Sequence, residues 1–552
     1  MDTPRRRMTA GAELRSEDGT TGSGSIVAQG RRPEMRRLYR RERPGPIPGG
    51  GHAPAFRSAD RVPSLLDRTS AGEGLTTATQ LFSSRWGLML AMLGMAVGTG
   101  NIWRFPRIAA SNGGGSFLVA WVVFLMLWSV PLILAEFALG KKVRNGTVGT
   151  FAAMMGERFA WMGAWIAWVA AAIGFYYAVV MGWTLRYFLA AITMQLQGER
   201  SAQLWEDFSY TPQVLVFHAL ALAMGVIVVL KGIRGIESVV RILMPALLVL
   251  VVVLAIRAVT LPGAVNGLEF LFRPNWSDLL DSNIWLQALT QNAWDTGAGW
   301  GLVLTYAVFS RRREDTNLNS FLLAFGNNSV SLLAGVMVLC TVFSIMPGAA
   351  NQIVGASNEG LTFIWIPQLF NAMPGGSFFM ILFFMALVFA AWTSLVAMFQ
   401  LVGLALEEAG LERRKAIISI AVAAFVLGVP SALWQSSFVN QDTVWSVALM
   451  FCGLFFALIV IRYGVTRFRA EMINTGDQDM RVGAWWDWAI RLVALEAVVL
   501  VAWMIWSARN EPLWGPLGVG NMFAQWIVVG VVLIALNGVF LRGLKKRAAK
   551  AG

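Results

Sequence analysis

From about residue 80 onward the chain repeats one pattern: apolar runs near the roughly 20 residues needed to cross a bilayer core, separated by short polar connections. In hydrocarbon every backbone N–H and C=O must be satisfied within the segment, so such runs are read as helices. They fall at 86–109, 115–140, 161–194, 213–231, 236–260, 284–309, 317–346, 375–408, 414–432, 440–466, 484–507 and 517–541, which predicts twelve crossings. Only 14% of residues are charged and 56% are hydrophobic, against about 25% charged in soluble proteins. A water-soluble multidomain enzyme is thereby excluded. Two histidines and two cysteines leave little for metal chemistry or a disulfide framework. Cys340 and Cys452 lie inside apolar runs and read as packing residues.

The net charge of +13 resembles a nucleic-acid signal until its placement is read. Residues 1–80 carry fourteen arginines against nine acids, are rich in Gly and Pro, and lack apolar periodicity. They read as a basic disordered cytoplasmic tail, with Met35 as an in-frame alternative start. The remaining charge alternates between loops. Lys141, Lys142 and Arg144; Lys231 and Arg234; Arg311 to Arg313; Arg413 to Lys415; Arg467 and Arg469; and Arg542 to Arg547 mark one side. The positive-inside rule places that side, and both termini, in the cytoplasm of a cell (inner) membrane. Nucleic acid is not an expected partner, because its binders gather charge into one patch. Membrane lipids and a small-molecule substrate are.

Two crossings carry features that simple spans lack. The first contains Gly94, Gly98 and Gly100, then Asn101, Arg104 and Pro106; the sixth contains Gln291, Asn292 and Asp295, then Gly297, Gly299 and Gly301. Unwound backbone at membrane depth survives only where it lines a cavity or binds something. If crossings one to five and six to ten are two halves, the interrupted helices occupy equivalent places, which points to a secondary transporter. Glycines 94 and 98 also suit close helix packing. Arg104, Glu136 and Asp295 are ionisable groups in or at the edge of this body, and such groups are functional candidates by default. Glu136 has a structural alternative, hydrogen bonding to the unwound backbone. Glu496, also mid-crossing, is left unassigned. No nucleophile–base set appears, since His52 lies in the tail and His218 near a membrane edge; no channel filter appears either. The chain is therefore not expected to be an enzyme.

The run Gly98-Thr99-Gly100-Asn101-Ile102-Trp103-Arg104-Phe105-Pro106, with Asn112 to Gly115 and Pro131 to Gly140, resembles the first two crossings of the neurotransmitter:sodium symporters. Tyr176-Tyr177, Trp183 to Leu185, Gly299 to Tyr306, Asn327 with Ser331, and Ala390 with Thr393, Ser394 and Gln400 extend the resemblance over roughly 82–541. It implies an all-α polytopic membrane protein with the leucine-transporter fold: inverted five-helix repeats at 81–260 and 261–470, two further helices at 471–541, and a basic cytoplasmic tail at 542–552. It also implies uptake driven by one or two sodium ions through alternating access, of an amino acid or related solute. A transporter-like solute sensor, or a symporter of another amino-acid-like osmolyte, is the alternative.

Carried onto this sequence, the first sodium site takes the Ala96 carbonyl, Asn101, Asn327 and the side chain at 295. The second takes the carbonyls of Gly94, Val97 and Ala390 with the hydroxyls of Thr393 and Ser394. Position 295 departs from the family, which usually has Thr or Ser there. The resemblance retains Gln291 and Ser331 from the chloride site but has Trp121 where a tyrosine is expected. A fixed Asp295 carboxylate is expected to replace chloride, making transport chloride-independent; coupling to proton movement through Asp295 is a second possibility. With Gly98 where monoamine carriers have Asp, the substrate is expected to bring its own carboxylate to Thr99, Gly100 and Tyr177. Its amine would meet carbonyls near Ala96, Trp294 and Gly297. Ile173, Trp294, Gly297, Trp300, Ser394 and Met398 would shape the side-chain pocket. Arg104 with Asp442 would form the outer gate. The usual cytoplasmic Arg-x-x-Trp is absent, with Thr79 and Phe82 in its place and Phe309 replacing a tyrosine, so the inner latch is expected to be altered and no salt bridge is assigned there, with Arg85 the candidate substitute partner for Glu408.

Overall fold

The computed structural model describes residues 80–551 apart from Glu199 and Asp477; the tail expected at 1–80, with Met35, His52 and Thr79, lies outside the described residues but for Gln80. Among the described residues every regular element is helical. We number the long segments α1 to α12. Nine are long and apolar enough to cross a membrane: α2 (Gly115–Val143), α3 (Glu157–Ile192), α4 (Gln213–Leu230), α5 (Gly232–Val259), α7 (Thr316–Ile345), α8 (Gly376–Glu408), α9 (Arg413–Leu433), α10 (Gln435–Tyr463) and α11 (Trp485–Asn510). Two bent pairs add α1, Arg85–Ala96 and Gly100–Ser111 at 52°, and α12, Val519–Ala535 and Asn537–Ala549 at 46°. The sixth place holds two short helices, α6a (Ser282–Asp295) and α6b (Leu302–Ala307), with residues 296–301 between them. The basic residues from 542 on, expected as a tail, continue the second half of α12.

The helix ends follow from local chemistry. Ser84 caps α1 by accepting from Gly87 N at 3.0 Å, and Asp315 caps α7 by accepting from Leu318 N at 2.9 Å; each satisfies one of the free N–H groups of a first turn. The α1 break begins at Val97, whose ψ of 91° leaves the helical region. After it the backbone resumes as a π-turn, Gly100–Arg104, followed by Phe105 and Pro106. A proline at a helix start loses no hydrogen bond.

Helix α3 runs through the middle of the body, 94% of its apolar window being buried, whereas α9 and α11 are 39% and 33% buried. The outer faces remain apolar: Ile242, Val249, Val422, Val426, Leu495 and Val531 are exposed. In water such a continuous belt would drive association; around a bundle of crossings it meets lipid tails. α8 lies along α3, α1 packs between α5 and α8, and α6b lies on α2. Both broken helices thus end up beside the most buried part of the bundle.

Candidate substrate and ion site

The α6 break is built by three glycines at positive φ, Gly297 (+71°), Gly299 (+84°) and Gly301 (+79°). Side chains disfavour that region. At Gly299 a Cβ would also sit 3.0 Å from the Gly453 backbone. Fully buried Glu136 of α2 accepts from Gly299 N at 2.6 Å and Leu304 N at 3.3 Å. It therefore satisfies donors freed at the break and at the start of α6b. Ser129, Asn292 and Thr296 form a second buried cluster there: the Thr296 hydroxyl donates to Ser129 Oγ (3.1 Å), which donates to Asn292 Oδ1 (3.3 Å).

The α1 glycines work differently. Gly94 lies inside the intact first half of α1, where a Cβ would be 3.2–3.3 Å from Met244 and Thr393. That is the packing role open to it in the sequence. At Gly98 a Cβ would lie 2.8 Å from Ser394 Oγ and 3.1 Å from Tyr177 Oη. Space, rather than φ, requires glycine there.

Between the two breaks lies a cavity of about 40 Å³, lined by Ala96, Gly98, Gly100, Asn101, Ile173, Tyr177, Trp294, Asp295, Gly297, Trp300, Ser394 and Met398, together with Met95 and Leu302. Each water needs about 10–15 Å³ by such a measure, so the space is tight. Thr99 N and the Thr99 hydroxyl both lie 3.2 Å from Tyr177 Oη. Trp294 and Trp300 meet edge to face at 5.3 Å, and Trp300 Nε1 donates to the Ala293 carbonyl.

A buried polar chain runs along one side. Asn101 Oδ1 accepts from Gly98 N at 2.8 Å; Asn101 Nδ2 donates to Asn327 Oδ1 at 2.9 Å and Ser331 Oγ at 2.8 Å. Ser331 Oγ and Gln291 Nε2 each donate to Asp295 Oδ2 at 3.2 Å. Asp295 is 3% exposed, and among the described residues its other oxygen, Oδ1, has no hydrogen-bond partner. On the opposite side Ser394 Oγ donates to the Met95 carbonyl at 3.4 Å, while Thr393 Oγ1 donates to the carbonyls of Phe389 (3.0 Å) and Ala390 (3.2 Å). Thr393 faces Gly94. The residues expected for substrate and for both ions are therefore gathered around the paired breaks, with side-chain and carbonyl oxygens on two sides.

Comparison with known proteins gives this geometry a family. Residues 79–215 and 208–543 match the sodium:neurotransmitter symporter family. The chain belongs to that family. It is 28% identical over 474 residues to an uncharacterised sodium-dependent transporter of Methanocaldococcus jannaschii, covering 82% of this chain and 95% of the relative. It is 29% identical over 445 residues to the uncharacterised sodium-dependent transporter YhdH of Bacillus subtilis, covering 76% and 96%. The crystal structure of MhsT in complex with L-phenylalanine is similar at a TM-score of 0.67 and 29% identity, covering 77% of this chain and 99% of MhsT. This member of the symporter family is accordingly a sodium-dependent secondary transporter with the leucine-transporter fold, not an enzyme, and it takes a small-molecule substrate.

Neither expected gate pair is in direct ion-pair contact. Arg104 and Asp442 form no ion pair within 4 Å. The Arg104 guanidinium lies 5.2 Å from the centre of the Trp294 ring, and Asp442 Oδ1 accepts from Tyr176 Oη at 3.0 Å. Each group thus has another neighbour, a π face for the cation and a phenol for the acid. Arg85 is not the partner of Glu408 either. Its Nε lies 3.4 Å from Asn319 Oδ1, whereas buried Glu408 accepts from Gly149 N at 3.2 Å. Gly146 and Gly149 admit that carboxylate, since Cβ atoms there would come within 2.8 and 2.6 Å of it. At this end Phe82 meets Tyr306 edge to face at 5.9 Å and donates its N–H to the Phe309 carbonyl at 3.1 Å.

Met95 and Leu302 were missed because each is an ordinary apolar residue next to a break; adjacency to the glycine cluster was the available signal. Gly98→Ala is expected to introduce overpacking of about 1–3 kcal/mol, read as a lower thermal unfolding midpoint in detergent. An unchanged midpoint in a folded variant would contradict the close approach. Glu496, 7% exposed in α11, has no hydrogen-bond partner for either carboxylate oxygen among the described residues. Glu496→Leu removes a buried polar group costing about 1–3 kcal/mol and is expected to raise the unfolding temperature in detergent. A lower temperature would reveal a partner for Glu496.

Proposed function

We propose that this transporter imports a neutral amino acid with one or two sodium ions, by alternating access, and without chloride. The observation that carries the reading is the buried chain from Gly98 N through Asn101 and Ser331 to Oδ2 of Asp295, a carboxylate at the cavity whose other oxygen, Oδ1, has no hydrogen-bond partner among the described residues. Sodium seeks oxygen ligands. A carboxylate in a poorly hydrated site attracts it strongly and repels chloride. Ala96, Asn101, Asn327 and Asp295 form the first ion site in this reading; Gly94, Val97, Ala390, Thr393 and Ser394 form the second. The substrate carboxylate meets the N–H groups of Thr99 and Gly100, the Tyr177 hydroxyl and the first sodium. Gly98 leaves room for it, and the presence of L-phenylalanine in similar MhsT supports an amino acid. Trp294, Trp300, Ile173, Gly297, Ser394 and Met398 surround the substrate side chain.

Closure of the outer vestibule brings Arg104 from Trp294 to Asp442. The repeats run over 81–260 and 261–470, and the basic loops place both termini in the cytoplasm of the inner membrane. The test is thermal unfolding of the purified full chain against amino acids and osmolytes, in sodium and in potassium, with chloride or gluconate. A ligand that binds the native state raises stability as its concentration exceeds the dissociation constant. An amino acid that stabilises only in sodium, equally in both anions, is the expected result. Stabilisation independent of sodium, or strictly dependent on chloride, would refute the reading.

A further inference from the structure

The cytoplasmic turn between α4 and α5 borders a second cavity, remote in function from the ion and substrate residues. It measures about 540 Å³. Met224 and Ile227 of α4, Val239 of α5 and Trp392 of α8 form apolar walls, while Lys231 and Arg234 stand exposed at its edge. The turn is short: α4 ends at Leu230 and α5 begins at Gly232, whose φ of +71° reverses the chain. Both cations are therefore held beside the mouth of an apolar slot.

Their charge is not consumed locally. Glu237, the next acid along α5, is 3% exposed and faces α1, where it accepts from Ser83 N (2.9 Å), Ser83 Oγ (2.6 Å) and Arg241 (2.7 Å). Among the described residues neither Lys231 nor Arg234 forms an ion pair within 4 Å. Trp392 has already given its Nε1–H to the Met224 carbonyl at 3.1 Å, so the walls suit a hydrocarbon chain and the edge suits an anion. Basic pockets between helices on the cytoplasmic side are suited to anionic lipid headgroups.

We propose that this cavity binds one anionic phospholipid, with its phosphate between Lys231 and Arg234 and an acyl chain against Met224, Ile227, Val239 and Trp392. The lipid bridges α4, α5 and α8. Two of these helices also pack on the first half of α1, just before its break, α5 through Met244 against Gly94 and α8 through Thr393.

Native mass spectrometry of the full chain, released from vesicles of equal phosphatidylglycerol and phosphatidylethanolamine with matched acyl chains, tests the site. Wild type is expected to retain phosphatidylglycerol in roughly tenfold preference. The K231Q/R234Q double variant should fall below about twofold, and K546Q, which neutralises an exposed cation on α12, should behave as wild type. Met224→Trp, which fills the slot without altering charge, should also lower retention. Undiminished preference in the double variant overturns the proposal. So does an effect of K546Q equal to it, or no effect of Met224→Trp, since either means diffuse surface attraction. Displacement of the lipid by excess inorganic phosphate would make this a free-anion site and overturn the lipid assignment.

Discussion

If Asp295 stands in for chloride as proposed, Asp295→Ser is expected to make uptake chloride-dependent. Asp295 is buried, and among the described residues only its Oδ2 is held, by Gln291 and Ser331. A full charge about 4 Å from a sodium ion contributes roughly 4 kcal/mol at an effective dielectric constant of about 20. Removing it should raise the sodium midpoint by a hundredfold or more in the absence of chloride. Added chloride, now free of a fixed negative neighbour and within reach of Ser331 and Gln291, should recover much of that loss. The measurement is sodium-driven uptake in proteoliposomes with chloride or gluconate, using the amino acid identified by thermal unfolding. Wild type should be equal in the two anions. A variant blind to chloride with an unaltered sodium midpoint would place the ion elsewhere.

Glu136→Ala is expected to be strongly destabilising. The carboxylate accepts from Gly299 N and Leu304 N inside the bundle. Its loss leaves two buried N–H groups without that acceptor, each costing about 1–3 kcal/mol, and opens space beside α6b. A combined loss of about 2–6 kcal/mol should lower the unfolding temperature sharply. Glu136→Gln retains a carbonyl acceptor and should lose less. If both variants unfold as wild type does, the α6 break is held by something other than Glu136. Because Glu136 does not itself line the cavity, residual folded Glu136→Gln protein should keep its sodium midpoint; a large change there would give Glu136 a place in ion binding.

The architecture was legible because its signals are local. An apolar run near bilayer length has few alternatives to a helix, and the basic loops alternate along the chain. The broken helices were legible for the same reason: three glycines beside Asn101 and Arg104, or beside Asn292 and Asp295, are anomalous in a hydrophobic span wherever it packs. Even so, similar glycines had dissimilar causes. Gly297, Gly299 and Gly301 are needed for backbone conformation, Gly98 for space beside Ser394 and Tyr177, and Gly94 for packing against α5 and α8.

The gates were less legible. Pairing Arg104 with Asp442, or Arg85 with Glu408, is a statement about distances between helices far apart in sequence, and a displacement of one turn suffices to exchange partners. Tertiary packing gave Asp442 to Tyr176, Arg104 to the face of Trp294, and Glu408 to the amide of Gly149. The sequence alone determined that this chain crosses a membrane with two interrupted helices, because the energetic demand for backbone hydrogen bonding in hydrocarbon acts on each segment separately. Only the tertiary structure decided which buried charges meet, because side-chain partners are chosen within 3–4 Å, a scale set by how whole helices slide and turn against one another.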